Sequence, residues 1–163
     1  MENCEVSGED IFKCIESYIC ENRLDSQCLN AEEMEYIKNL IFIVREHSDY
    51  KTLMDWPFAY DRENISKEFV TVCENALFDH GNPHKLCFRA LTLFIYANDL
   101  CKYKLKDNAV KNTLMTIVKE TINLYPVDWT LIVEKRLKKW NIVKYMCINL
   151  TLFAFVVYMN YII

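Results

Sequence analysis

The chain has 163 residues, of which 52% are hydrophobic, with 19 basic and 23 acidic side chains. That length suits one domain with one core, and two glycines and three prolines leave long stretches unbroken, which favours helices over a many-turned β fold. Lys144 is the only charge after Trp140, so residues 1–140 carry a net −5; that acidity argues against a nucleic-acid partner.

Residues 1–10 are polar and acidic, with neither a basic n-region nor an apolar h-region. We expect no secretory signal, a cytosol-facing domain and free thiols for the eight cysteines, none of which forms a C-x-x-C pair. Ser7 is a candidate N-cap ahead of the acidic turn Glu9-Asp10. Ile11, Ile15, Tyr18 and Ile19 then repeat at helical spacing. After an expected loop from Arg23 to Leu29, Asn30 and Glu33 have the spacing of a capping box. The helix they open carries a stripe of Met34, Ile37, Ile41 and Val44. Between Tyr50 and Tyr60 the pattern is irregular and Pro57 interrupts it, so one helical turn and a loop are expected.

A further helix is expected from Glu63 or Asn64, with Ile65, Phe69, Val72, Cys73, Ala76 and Leu77 on one side and Gly81 closing it as the C′ residue. Asn82-Pro83 is the clearest helix start in the chain, combining a good N-cap with proline at the first helical position. From Pro83 to about Tyr103 apolar residues cover most of the circumference, which predicts a central helix enclosed by others. Asp107 caps the next helix, with Val110, Leu114, Ile117, Val118 and Ile122 inward. Pro126 is expected to open a last amphipathic helix bearing Trp129, Ile132, Val133, Leu137 and Trp140.

From Tyr145 to Ile163 there are 19 residues without a charge, among them Leu150, Phe153, Phe155 and Val157. As a helix they would be roughly 28 Å long, about one hydrocarbon thickness. Lys135, Arg136, Lys138, Lys139 and Lys144 precede them as a basic flank. The reading is a cytosolic helical domain, 1–140, and a C-terminal membrane anchor, 141–163, in the mitochondrial outer membrane or the endoplasmic reticulum. A buried core helix is the competing account of this segment.

No catalytic motif emerges: there is no glycine-rich phosphate loop and no G-x-S-x-G elbow. His80 and His84 straddle a turn rather than share a helical face, so neither a metal site nor a cofactor is expected. The acidic residues are scattered on expected outer faces. The chain reads as a binding protein, not an enzyme.

Leu77-Phe78-Asp79-His80-Gly81-Asn82-Pro83-His84-Lys85-Leu86 resembles the first homology motif of the Bcl-two family of apoptosis regulators, roughly L-F-R-D-G-V-N-W-G-R-I. Deleting one residue after Gly81 aligns Asn82, Pro83, His84 and Lys85 with N-W-G-R. The substitutions of the tryptophan, glycine and arginine resemble the divergent anti-apoptotic proteins of poxviruses, as do Tyr50-Lys51-Thr52-Leu53-Met54-Asp55 and the run Ala90-Leu91-Thr92-Leu93. A second homology motif near Tyr125–Trp140 is matched by Trp129 alone. The resemblance implies an all-α, Bcl-two-like bundle of about seven helices around a buried central helix, with a C-terminal transmembrane tail. It implies sequestration of the amphipathic death-motif helix of Bak, Bax or Bim in a surface groove. Carried over by position, Lys85 would meet the ligand's aspartate, supplying charge but no bidentate fork. Asn82 would cap the central helix and touch the ligand, while Phe69, Cys73, Leu77 and Phe88 would line apolar pockets. Two alternatives stay open: a Bcl-two-like inhibitor of innate-immune signalling, and an unrelated tail-anchored scaffold or trafficking protein. Ligand preference and oligomeric state are not readable from these residues.

Overall fold

A computed structural model describes residues 6–23, 29–55, 65–78 and 81–134. These residues form seven helices and no strand: α1 (Gly8–Glu21), α2 (Ala31–Glu46), α3 (Ser48–Asp55), α4 (Ile65–Leu77), α5 (Pro83–Tyr103), α6 (Asn108–Leu124) and α7 (Thr130–Val133). The expected anchor, with Tyr145, Leu150, Phe153, Phe155, Val157 and Ile163, lies outside the described residues, as do Leu137 and Trp140. Among the described residues no helix is long and apolar enough to cross a membrane.

Local chemistry sets most helix starts. The first backbone N–H groups of a helix have no partner inside it, so a side-chain oxygen in front of it can accept from them. Ser7 Oγ accepts from the Asp10 N–H at 3.2 Å. Asn30 and Glu33 form a complete capping box: Asn30 Oδ1 accepts from the Glu33 N–H at 2.8 Å and Glu33 Oε2 from the Asn30 N–H at 3.1 Å. Asn82 Oδ1 accepts from the His84 and Lys85 N–H groups at 3.0 and 3.4 Å, with Pro83 at the first position. Asp107 Oδ1 does the same for Ala109 and Val110. α1 ends at Asn22, whose φ of 56° is left-handed and lets its N–H reach back to the Ser17 and Tyr18 carbonyls.

α5 is the axis of the molecule. Every residue from Leu86 to Ala97 is buried, and Leu100 and Cys101 continue the apolar column. Around it stand Ile11, Cys14, Ile15 and Ile19 of α1, Ile37, Leu40, Ile41 and Val44 of α2, Phe69, Val72, Cys73 and Leu77 of α4, Leu114, Val118 and Ile122 of α6, and Ile132 of α7. Each Leu, Ile or Phe so enclosed contributes about 1.5–3 kcal/mol through the area it removes from water. Thr92 is tolerated inside because its hydroxyl donates to the Phe88 carbonyl one turn back, at 2.9 Å.

Four expectations need correction. α3 runs a full eight residues, more regular than the pattern around Tyr50 implied; Pro57 lies beyond its end and does not interrupt it. Gly81 has no positive φ, so it is not a left-handed C′ residue. Pro126 does not open the last helix. Tyr125 is extended, the Val127 N–H donates to the Tyr125 carbonyl at 2.8 Å, and helix begins only at Thr130, whose N–H and hydroxyl both donate to Asp128 Oδ1. The extended stretch carries Trp129 onto Phe12, where the rings stack with centroids 4.7 Å apart; a helix starting at Pro126 would replace that path. Finally, not all acidic side chains are on outer faces, because Asp99 lies inside.

Candidate functional site

Among the described residues, two places combine chemistry with concavity or a seam. The first is the α4–α5 hairpin. α4 and α5 pack against each other across a short connection, and α4 also packs on α6. Of the six groove residues expected from the sequence, four are core side chains: Phe69 is 5% exposed, and Cys73, Leu77 and Phe88 are 0% exposed. Burial pushes the Cys73 thiol up to about 12, with the neighbouring Glu74 adding to the shift, so it stays protonated and acts as a small apolar group. Asn82 and Lys85 are half-buried at the entrance to α5, where Asn82 is committed to capping. The outer surface of α4 presents Lys67, Thr71, Glu74 and Asn75, with Phe78 75% exposed just after its end. The structure therefore brings all six residues to one hairpin. It places the apolar four beneath the seam, filling it with this chain's own side chains. His84 Nε2 lies 3.4 Å from Glu134 Oε2, which ties the start of α5 to the end of α7.

The second place was missed by sequence reasoning. Asp99, in the last quarter of α5, accepts from Arg45 at both oxygens: Nε to Oδ2 at 2.9 Å and Nη2 to Oδ1 at 2.8 Å. The Tyr50 hydroxyl donates to Oδ2 at 2.5 Å, and Asn98 Nδ2 to Oδ1 at 3.4 Å. A carboxylate buried in an apolar helix is costly unless its lone pairs are used, and here they are. Desolvation, and then the charge and hydrogen bond of Asp99, push the Tyr50 hydroxyl far above its ordinary value, so it remains a donor. Beside the cluster is a cavity of about 420 Å³ lined by Arg45, Tyr50, Lys51, Met54, Asp55, Asp99 and Tyr103. Lys51 at its rim pairs with Glu46 at 2.7 Å. The cluster locks α2 and α3 onto α5; its acid is saturated and its tyrosine held neutral, so it has neither a free base nor an activated nucleophile. A signal for it existed in the sequence. Asp99 interrupts an otherwise apolar run, and an acid in that setting demands a cationic partner.

Among the described residues no three His, Cys, Asp or Glu side chains come close enough together to hold a metal ion. Compared with known proteins, the chain matches no family model, no curated protein and no solved structure.

Proposed function

We propose that the chain is an inhibitor of apoptosis that holds the amphipathic death-motif helix of Bak, Bax or Bim type proteins at its α4–α5 hairpin, while residues 141–163 keep it at the mitochondrial outer membrane. One observation carries the reading: the segment Leu77–Leu86, with its likeness to the first Bcl-two homology motif, sits between two packed helices and leads into a helix buried from Leu86 to Ala97. A motif of that likeness in a loop or on an isolated surface helix would have carried nothing. The all-helical arrangement around α5 supports it further, as does Asn82, which occupies the N-cap of the central helix.

In this reading Lys85, in the first turn of α5, supplies the charge for an acidic residue of the guest helix. Phe69, Cys73, Leu77 and Phe88 supply apolar surface once the guest is seated. An amphipathic helix in an apolar groove is a recurrent mode of recognition. Its affinity is the surplus of buried apolar area over the ordering of both partners. Membrane attachment raises the effective concentration of protein and target on one surface.

Titration of the full chain, held in a mild non-ionic detergent, with Bak, Bax and Bim death-motif peptides tests the proposal. A Kd of about a micromolar or tighter for at least one peptide is expected. Binding weaker than roughly tens of micromolar for all of them refutes it.

A further inference from the structure

The end of α2, the body of α3 and the end of α5 meet at the 420 Å³ cavity, which lies at the other end of α5 from the hairpin motif, roughly 30 Å along the helix. Its walls differ in chemistry. Arg45 lines it, and a guanidinium carries five N–H donors in one plane. Through its Nε–Nη2 edge Arg45 grips Asp99, at 2.9 and 2.8 Å. The neighbouring Nη1–Nη2 edge carries the three other N–H groups. The Arg45 side chain is 34% exposed, whereas that of Asp99 is 5% exposed. The buried acid therefore fixes the guanidinium and leaves part of it accessible. Met54 and the ring of Tyr103 supply apolar wall. Tyr103 ends α5 with 64% of its surface exposed, close enough to Arg45 to act on the charge of the guanidinium. Lys102 Nζ lies 5.3 Å from the centre of the Tyr103 ring, and Lys104 follows; both lysines are exposed.

The charges here decide the sign of a ligand. Among the described residues, the cations Arg45, Lys51, Lys102 and Lys104 stand around the cavity with the anions Glu46, Asp55 and Asp99. Four against three leaves a local balance of +1, in a chain of net −4. Glu46 is bonded to Lys51 and Asp99 to Arg45, while Asp55 is exposed at the end of α3. A guanidinium gripped along one edge and accessible at another is a fork ready for a second oxyanion. Apolar wall beside a convergent polar group is the usual make-up of a small-molecule site. We propose that this cavity binds an oxyanion carried on an apolar body: the head, a phosphate monoester or carboxylate, bonds the Nη1–Nη2 edge of Arg45, and the body lies against Met54 and Tyr103. Asp55 is the one like charge it meets at the rim. The Asp99 bonds then serve twice, locking helices together and holding the binding group in a fixed pose. This site stands apart from the α4–α5 seat and does not depend on the death-motif reading.

Calorimetric titration of the full chain, in a mild non-ionic detergent at low ionic strength, with phenyl phosphate tests the proposal. Saturable binding with a Kd of about 1 mM or tighter is expected for a ligand of this size. Benzylammonium and benzyl alcohol, a cation and a neutral molecule of similar size, should bind at least roughly tenfold more weakly, and so should inorganic phosphate, which lacks the apolar body. Asp55→Asn gives the sign: removing the rim carboxylate should tighten phenyl phosphate by about two- to threefold, whereas a site for cations would be weakened. Tyr103→Ser and Lys102→Glu should each weaken it by about threefold or more. Arg45→Lys keeps the charge and loses the fork, so a loss of at least roughly fivefold is expected. Because Arg45 also braces the fold, the variants at the exposed positions 55, 102 and 103 carry the test if Arg45→Lys lowers the urea midpoint. A soluble short-chain phosphatidic acid that competes with phenyl phosphate supports the site with a lipid head group as its source; phenyl phosphate binding without such competition supports it with a free oxyanion. No saturation below roughly 20 mM phenyl phosphate, benzylammonium binding as tightly, or binding unmoved by Asp55→Asn, Lys102→Glu and Tyr103→Ser together overturns the inference.

Discussion

Tyr50→Phe removes one oxygen atom and nothing else. The ring of Tyr50 is buried and would keep its contacts, so no cavity term arises. What disappears is a 2.5 Å bond to Asp99, a residue 3% exposed. Hydrogen bonds to charged groups contribute roughly 1.5–3 kcal/mol. Asp99 keeps both Arg45 bonds, and Arg45 is one-third exposed and can recruit water, so about 2 kcal/mol is expected. At roughly 3–5 °C per kcal/mol for a domain of this size, Tm should fall by about 6–10 °C. Urea titration of the full chain by far-UV circular dichroism gives the free energy directly. The midpoint should drop with no change in slope. Asp99→Asn on its own should cost more, about 3 kcal/mol, because it weakens the Arg45 and Tyr50 bonds together. The double variant should cost less than the two losses summed, since both remove the same bond. A Tyr50→Phe loss under about 0.5 kcal/mol, or strict additivity with Asp99→Asn, would refute the reasoning that this cluster locks α2 and α3 to α5.

Three further outcomes are expected. Lys85→Glu should weaken death-motif peptide binding by about tenfold or more while leaving the unfolding free energy within about 0.5 kcal/mol of the wild type, as checked by calorimetry and by urea titration with circular dichroism. Leu93→Ala, at a fully buried position of α5, should lower stability by about 2–5 kcal/mol in the same urea titration. Alkaline pH should destabilise the fold: the Cys73 thiol is raised to about 12 in the folded chain and Tyr50 is raised as well. The unfolded chain therefore releases protons first. Stability is full below the ordinary thiol range near pH 9 and declines as pH rises toward 12, which thermal melts across that range would follow.

Much of the fold was legible because its signals are local. Ser7, Asn30, Asn82 and Asp107 each announce a helix start through an oxygen two or three residues ahead of an orphan N–H, and all four are realised. The apolar girdle of α5 was readable for a related reason, since only enclosure can satisfy a helix with no polar face. Pro126 misled because proline at a first position is permissive rather than decisive. The contact of Trp129 with Phe12 joins residues far apart in sequence, and it sets the path there. The Arg45–Asp99–Tyr50 cluster joins three helices, and no spacing rule within one helix encodes it. At the hairpin, periodicity identified the side of α4 bearing Phe69, Cys73 and Leu77. It could not distinguish a face that greets a partner from one that meets α5, because both are apolar stripes at the same spacing.

The position of a bound guest tests the central claim most directly. A Bim death-motif peptide carrying a photo-reactive side chain on its apolar face would be bound to the full chain, irradiated, and its attachment sites read by mass spectrometry. Cross-links to residues of α4 and the first half of α5, with loss of yield in Lys85→Glu, are the predicted result. Attachment instead around Phe42 and Tyr103, the exposed aromatic rings of α2 and α5, or no specific attachment at all, would contradict the account.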